Sequence, residues 1–233
     1  MRSSPVLAML AASVLLVACD DTVVVQLQTG RQPFELGTSS LALPTALRDD
    51  SGAAPRIAVV SCGPMGMCPS ADAVPITCEA GLCDPAPRTI STPIDQVVDF
   101  DVLAADARSL LRRVETIEVL EARYEIVSNT ITIDVPEIEI FWGPEGANDV
   151  DPAMGVVLLG VVPPIPARSS VPGMVALDPA GVGALSDYLV GTSRRVRFFA
   201  RTRVDLAPGG AYPEGSIQAT VDLRVRITGS IAH

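Results

Sequence analysis

The last fifth of the chain carries the pattern that most narrows what this sequence can form. Apolar and polar residues alternate through two runs, Val196 to Leu206 and Ile217 to Ile227. Alternation with a period of two places one residue set on each side of a β-strand, so each run predicts a strand with one buried and one solvated face. A connection rich in Pro and Gly, Pro208 to Gly215, separates the runs. The sequence therefore predicts a long antiparallel hairpin.

The solvated face of this hairpin is rich in arginine. Arg197 and Arg201 lie on the first strand, and Arg224 and Arg226 lie on the second. Because guanidinium groups bind anions well, this face is a candidate site for a small anionic ligand, such as a lipid head group or an acidic sugar. Acidic residues interrupt the face, so the alternative is a solvated charged surface that keeps the sheet from aggregating.

Most of the remaining chain also favours β-structure. β-rich runs occur at Thr116 to Val127, Thr130 to Trp142 and Gly155 to Val162. Two helices are predicted. Apolar residues recur at helical spacing from Ala104 to Val114. The second helix begins at Asp178-Pro179, where Asp is a cap and Pro takes the first helical position, and it ends at Gly191.

These elements predict a mainly β protein, an antiparallel sandwich of the immunoglobulin-like kind with two short helices. The alternation changes phase near Leu120 and again near Pro136, which predicts either bulges or an edge strand. The run from Tyr124 to Trp142 resembles sandwich domains of the late-embryogenesis-abundant type 2 proteins. This resemblance implies a sandwich fold and carries no function with it.

The first nineteen residues predict where the protein resides. After Arg2, an apolar run from Val6 to Ala18 is too short to span a bilayer and is typical of an export signal. It ends in Leu16-Val17-Ala18-Cys19, which resembles the lipobox of bacterial lipoproteins. The resemblance implies a signal peptide over residues 1–19 and a lipidated (palmitate-bearing) Cys19 that anchors the protein to a cell-envelope membrane, on its periplasmic or outer-surface face. After Cys19, no stretch is long and apolar enough for a transmembrane helix.

Four cysteines lie in a segment rich in Pro and Gly, and their even number in an exported chain predicts two disulfides: Cys62, Cys68, Cys78 and Cys83. Three pairings remain open. Zinc is the alternative, but the gaps of five, nine and four residues depart from the close ligand pairs of zinc sites. Met65 and Met67 beside the first two cysteines suggest a soft-metal site for copper, with loop packing as the alternative.

A further candidate is a calcium site in the acidic loop Asn148-Asp149-Val150-Asp151. Alternating carboxylates such as Asp149 and Asp151 supply the oxygen ligands that calcium prefers. The further ligands and closing Glu of a complete calcium loop are absent from the sequence, so the alternative is a solvated acidic loop.

Enzyme chemistry is not expected. The single histidine is the last residue, His233, which argues against Ser-His-Asp and Cys-His catalysis. Glu137 and Glu139 share a strand face, but the sequence suggests no aromatic-lined sugar cleft beside them. No cofactor is expected. A net charge of −10 without a basic tract also argues against binding nucleic acid.

The sequence thus divides into a signal peptide (1–19), a leader with a possible first strand (20–55), a disulfide-rich segment (56–90) and a β-sandwich (91–233). The predicted function is non-enzymatic: a lipid-anchored envelope protein with a structural, adhesive or assembly role through contacts with other envelope proteins. The alternative is an envelope binding module for a small anionic ligand or a metal ion, calcium or copper.

Overall fold

The computed structural model describes residues 22–41, 43, 45–68, 76–85, 88–100, 111–191 and 194–231. One α-helix, α1 (Pro179–Val190), lies wholly within these residues. The strands, in chain order, are β1 (Thr22–Gln28), β2 (Gln32–Gly37), β3 (Arg48–Asp49), β4 (Arg56–Ile57), β5 (Ile76–Glu79), β6 (Leu82–Pro85), β7 (Arg88–Asp99), β8 (Leu111–Asn129), β9 (Ile138–Pro144), β10 (Val157–Val162), β11 (Gly173–Met174), β12 (Ala176–Leu177), β13 (Arg195–Val204) and β14 (Ser216–Ile231).

Two five-stranded antiparallel sheets make up the sandwich. Sheet 1 has the order β1-β14-β8-β11, with β2 also paired to β14, and sheet 2 has the order β12-β10-β9-β13-β7. Strands β3 and β4, and strands β5 and β6, form two small separate ribbons. The prediction of a mainly β protein with antiparallel sheets is therefore confirmed. The immunoglobulin-like arrangement is not confirmed.

Strand β14 is the central strand of sheet 1, with neighbours on both sides. Its whole length pairs with β8, while its opposite side pairs first with β2 and then with β1. Between these two strands, the Thr29 hydroxyl accepts a hydrogen bond from the Leu223 amide at 3.0 Å. The amide of Thr29 donates to the Leu223 carbonyl, also at 3.0 Å. Residues 22–37 thus form one nearly continuous edge of the sheet, so part of the segment 20–55 is built into the sandwich.

The main hydrophobic core lies between the two sheets. The apolar residues of both alternating runs are buried in one cluster, which confirms the predicted inward faces: Val196, Phe198, Ala200 and Val204 from β13, and Ile217, Ala219, Val221, Leu223, Val225 and Ile227 from β14. A cavity of about 20 Å³ remains in this core between apolar side chains. That volume is about the size of one water molecule, so it does not hold a larger ligand.

The predicted hairpin is wrong. Strands β13 and β14 lie in different sheets and do not pair with each other. The intervening connection crosses between the sheets and bonds to a distant segment, because the Ile57 amide donates to the Gly210 carbonyl at 2.8 Å and the Tyr212 amide donates to the Pro55 carbonyl at 3.0 Å. Alternation is the same for a strand in a hairpin and a strand in a sandwich, and it does not specify the pairing partner.

The first predicted helix is wrong at its C-terminal end. Residues 111–114 belong to β8, where Val114 pairs with Gly229, and residues 104–110 lie outside the described residues. Pairing with the end of β14 overrides the local helical spacing, as tertiary contacts often do. The run from Thr130 to Trp142 forms a strand only from Ile138 onward. The β-rich run from Gly155 to Val162 forms β10 from Val157 onward.

The second predicted helix is confirmed as α1. The Asp178 carboxylate accepts a hydrogen bond from the Gly181 amide at 2.8 Å, and Pro179 occupies the first turn. Gly181 lies where the helix approaches sheet 2, and its carbonyl accepts a hydrogen bond from the Trp142 indole at 3.1 Å. A Cβ atom at position 181 would overlap the carbonyl oxygen of Leu158. The absence of a side chain at Gly181 therefore sets how closely α1 packs on β10.

Two glycines of α1 offer a matched test of this packing. We expect Gly181→Ala to lower the free energy of unfolding by about 1–3 kcal/mol, because the methyl group overpacks a backbone contact. At Gly183 a Cβ meets no atom within 4 Å, so we expect Gly183→Ala to raise the free energy of unfolding by up to about 1 kcal/mol through helix propensity. Denaturant unfolding measures the free energy of unfolding of both variants. Equal changes in the two variants would contradict the close contact of α1 with β10 at Gly181.

Candidate functional site

The four candidate arginines do not form one site. Arg197 and Arg201 lie on the outer face of sheet 2, and Arg224 and Arg226 lie on the outer face of sheet 1, because β13 and β14 belong to opposite sheets. The hydrophobic core separates the two faces. An anionic ligand would therefore contact at most one of the two pairs.

On sheet 1, each candidate arginine pairs with a carboxylate on the neighbouring strand. Arg224 lies opposite Glu121, with Nη2 2.9 Å from Oε2, and Arg226 lies opposite Glu118, with Nη1 3.1 Å from Oε2. Opposite charges at directly facing positions stabilise neighbouring strands. The arginine side of this face is thus neutralised within the protein.

Glu121 is the most enclosed acidic group of this face. The register between β8 and β14 shifts next to it, so the phase change near Leu120 is a bulge, one of the two predicted explanations. The Glu121 side chain is only 8% exposed and contacts Arg123 as well as Arg224. The hydrogen bond from Arg123 lowers the pKa of Glu121 and outweighs burial, which acts in the opposite direction.

On sheet 2, Arg201 is also engaged. Its Nε atom lies 2.7 Å from Oε2 of Glu139, and its guanidinium stacks 4.6 Å from the centroid of the Phe141 ring. Arg197 is half-buried and forms no ion pair with a described residue. Of the four candidates, Arg197 is thus the one whose charge is not matched by a described carboxylate.

A second, smaller core lies on the outer face of sheet 2. Phe199 is fully buried there, together with Phe141, Val156 and Ala147. The last two residues belong to the loop that follows β9, so this loop folds over the sheet. We did not predict this cluster from the sequence, although three apolar residues in a row, Phe198 to Ala200, break the alternation and were a usable signal.

The calcium candidates lie in this same covering loop. Asp149 accepts a hydrogen bond from the Val150 amide at 2.7 Å, and Asp151 accepts one from the Ala153 amide at 2.9 Å. Both aspartates are exposed. Among the described residues, the two are not part of any group of three or more close acidic, His or Cys donors. The carboxylates shape the loop by capping backbone amides.

The candidate carboxylate pair Glu137 and Glu139 lines an open groove on sheet 2 of about 430 Å³. Arg201 and Arg203 lie in the same groove, and Glu139 is the carboxylate that pairs with Arg201. The two glutamates therefore come from β9 and the residue just before it, and the two arginines come from the neighbouring strand β13.

The four cysteines form two disulfides, Cys62–Cys78 and Cys68–Cys83, with Cα–Cα distances of 5.9 and 5.6 Å. This selects one of the three pairings that the sequence left open. The sulfur atoms of Cys62, Cys68 and Cys83 lie within 4.8 Å of one another, so the two bridges are adjacent. Sulfur atoms in disulfides are not thiolate ligands, and Met65 beside them is 91% exposed. The segment is a pair of crosslinks rather than a preformed zinc or copper centre.

The cysteine segment is fixed to the sandwich through backbone hydrogen bonds. The Cys83 amide donates to the Val60 carbonyl at 2.8 Å, and the Gly209 amide donates to the Ile57 carbonyl at 2.8 Å. Gly209 belongs to the connection between β13 and β14. The disulfides therefore hold a loop segment that braces the crossover between the sheets.

The predicted lipidation site, Cys19, lies outside the described residues. No helix in the described part of the chain is long and apolar enough to cross a membrane. Comparisons of the chain with protein families, with curated proteins and with solved structures give no match.

The Glu121 carboxylate gives a pH-dependent prediction. The pKa of Glu121 is lower in the folded than in the unfolded protein. Its ion pairs therefore stabilise the fold at pH values above the ordinary Glu pKa of about 4.3. This stabilisation is lost as the pH falls through the pKa of the folded state. We expect Glu121→Gln to be less stable than the unaltered protein at pH 7 and to converge with it in acid. Glu118→Gln is the control, since that side chain is 51% exposed and its ion pair is solvated. If chemical denaturation at pH 7 shows equal decreases in the free energy of unfolding for Glu121→Gln and Glu118→Gln, the special role of Glu121 is contradicted.

The disulfide pairing gives a second prediction. Non-reducing digestion and mass spectrometry should yield peptides joined through Cys62–Cys78 and Cys68–Cys83. No alkylatable thiol should be found among these four cysteines after denaturation without reductant. Peptides joined through Cys62–Cys83 or Cys62–Cys68, or free thiols, would overturn the observed pairing.

Proposed function

We propose that the protein is a lipid-anchored component of a bacterial cell envelope, with a non-enzymatic structural, adhesive or assembly role through protein contacts. The observation that carries the proposal is the lipobox-like sequence ending at Cys19, which stands three residues before β1. An anchor this close to the first strand holds the sandwich beside the membrane, because three residues span about 10 Å at most. Acyl chains at Cys19 make such an attachment effectively permanent.

The disulfides support an exported location. Two adjacent bridges within residues 62–83 persist in an oxidising compartment and are rare in the cytosol. They also stabilise a segment that contributes little to the core, since Cys83 is the only buried residue among the described residues between 62 and 83. This combination is typical of a protein that works outside the cytoplasmic membrane.

The pairing of surface charges supports contacts with proteins over binding of a small anion. Arg201, Arg224 and Arg226 each pair with a glutamate across a strand. A ligand would have to displace these carboxylates before it could use the guanidinium groups. For the alternative function as an anion-binding module, Arg197 is then the main candidate binding residue. For a metal-binding module, the candidate ligands are the exposed Asp149 and Asp151.

Lipidation of Cys19 is the part of this proposal that can be tested directly. In cells fed a labelled palmitate analogue, we expect the unaltered protein to carry the label and to remain in the membrane fraction. Cys19→Ala should lose the label and leave that fraction, because no thiol remains to be acylated. Ser13→Ala, which changes the apolar run but keeps the lipobox, should behave as the unaltered protein does. Label that persists in Cys19→Ala would overturn the proposed anchor.

A further inference from the structure

The two disulfides of the cysteine segment lie close enough together to exchange sulfur partners. Cys62 is bonded to Cys78, and Cys68 is bonded to Cys83. The Sγ atom of Cys62 nevertheless lies within 4.8 Å of both sulfur atoms of the other bridge. Disulfides exchange partners when a thiolate attacks one of their sulfur atoms. Cys62 is therefore positioned to attack the second bridge once its own bond to Cys78 is opened.

The four cysteines differ in their contact with solvent. Cys78 is exposed, Cys62 and Cys68 are half-buried, and Cys83 is fully buried. Gly66 lies beside Cys78, where a Cβ atom would stand 4.0 Å from the Cys78 sulfur, so this neighbour has no side chain to cover it. An external thiolate therefore reaches Cys78 more readily than the other three cysteines. Its attack there releases Cys62 as the leaving thiolate.

Backbone hydrogen bonds hold Cys62 beside Cys83. The Cys62 amide donates to the Gly81 carbonyl at 3.0 Å, and the Cys83 amide donates to the Val60 carbonyl at 2.8 Å. These contacts join main-chain groups, so opening the bond between Cys62 and Cys78 does not remove them. The arrangement needed for a second attack therefore persists after the first.

Burial decides which sulfur atom of the second bridge the Cys62 thiolate attacks. Attack on Cys68 would release a thiolate at the fully buried Cys83, where the charge loses its solvation. Attack on Cys83 instead releases the thiolate at the half-buried Cys68, where water can solvate it. Exchange is faster when the leaving thiolate is better stabilised. The favoured product is therefore a Cys62–Cys83 bond together with a free Cys68.

From these observations we infer that Cys78 is a site of modification by an external thiol, and that this modification moves the second disulfide. The external thiolate bonds to the Cys78 sulfur, the Cys62–Cys78 bond breaks, and its electron pair stays on Cys62. The Cys62 thiolate then bonds to the Cys83 sulfur, and the Cys68–Cys83 bond breaks. Cys68 takes up the proton that the external thiol gave up. No oxidant or reductant is consumed, because two disulfides and one thiol are present before and after the exchange.

The exchange releases one crosslink and keeps another. A Cys62–Cys83 bond still joins the start of the cysteine segment to β6, whereas Cys68 is no longer tied to that strand. A reaction at the exposed Cys78 is thus converted into a free thiol at Cys68. This chemistry needs only the four cysteines, so the inference goes beyond the proposed function and does not depend on the lipid anchor.

Limited reaction of the purified protein with glutathione, used as the probe thiol, tests the inference. After an acid quench, free thiols are alkylated, and the disulfides are mapped by non-reducing digestion and mass spectrometry. We expect glutathione on Cys78, the alkylating label on Cys68, and several-fold more Cys62–Cys83 than Cys62–Cys68 bonds. The same reaction in denaturant is the control, because unfolding disperses the sulfur atoms and should give a mixture of pairings.

Two variants test the role of Cys62 without an added thiol. Cys78→Ser leaves Cys62 unpaired beside the second bridge, so we expect a fraction of the chains to carry a Cys62–Cys83 bond and a free Cys68. Cys62→Ser is the matched control, since it removes the same bridge but leaves the unpaired thiol on Cys78. That sulfur is not part of the group within 4.8 Å, so the Cys68–Cys83 bond should persist. Cys78 lies opposite Cys83 in the register of β5 and β6, so this control also tests whether strand pairing alone permits exchange.

Three results would overturn the inference. The first is glutathione on Cys78 with the label on Cys62 and an intact Cys68–Cys83 bond, because the second attack would then not occur. The second is a Cys78 that takes up no glutathione until the protein is denatured. The third is equal migration of the bridge, or none, in the two variants. The glutathione reaction uses the unaltered protein, so it decides the matter even where a variant fails to fold, and none of these results bears on lipidation of Cys19.

Discussion

The pairing of β14 with strands on both of its sides is the constraint on which the rest of the structure depends. Its sixteen residues bind β8 along one side, and β2 and β1 along the other. Six inward residues of the same strand, from Ile217 to Ile227, are buried against sheet 2. The strand therefore fixes the register of sheet 1, the position of the N-terminal edge and one half of the core. A strand with this many partners cannot also pair with β13, which is why the last two long strands face each other across the sandwich.

The same pairing decides how the surface charges are used. Cross-strand registry places Glu121 opposite Arg224 and Glu118 opposite Arg226, so these positive charges are matched within the protein. The outer face of sheet 2 follows the same rule at Arg201 and Glu139. These pairs leave Arg201, Arg224 and Arg226 already bound to carboxylates, which accords with the proposed role through protein contacts better than with capture of a free anion.

The sequence predicted local features well because they depend on neighbouring residues. The inward faces of β13 and β14, the Asp178 cap of α1 and the bulge at Leu120 all follow from local periodicity or capping. Long-range pairing could not be predicted, because a period of two identifies a strand without naming its partner. The two failures have this origin: the expected hairpin, and the helix predicted up to Val114. Of the candidate site residues, the disulfide cysteines form two bridges, whereas the grouping of the arginines depended on the hairpin and failed with it.

The most direct test of the account is recovery of the protein with its neighbours. A C-terminally tagged copy, crosslinked in intact cells with an amine-independent, broadly reactive crosslinker and purified under denaturing conditions, reports what the protein contacts in place. We expect a fixed set of envelope proteins in constant proportion to the tagged copy. Recovery of the tagged copy alone, with a small anion or metal retained by the natively purified protein, would contradict a role through protein contacts.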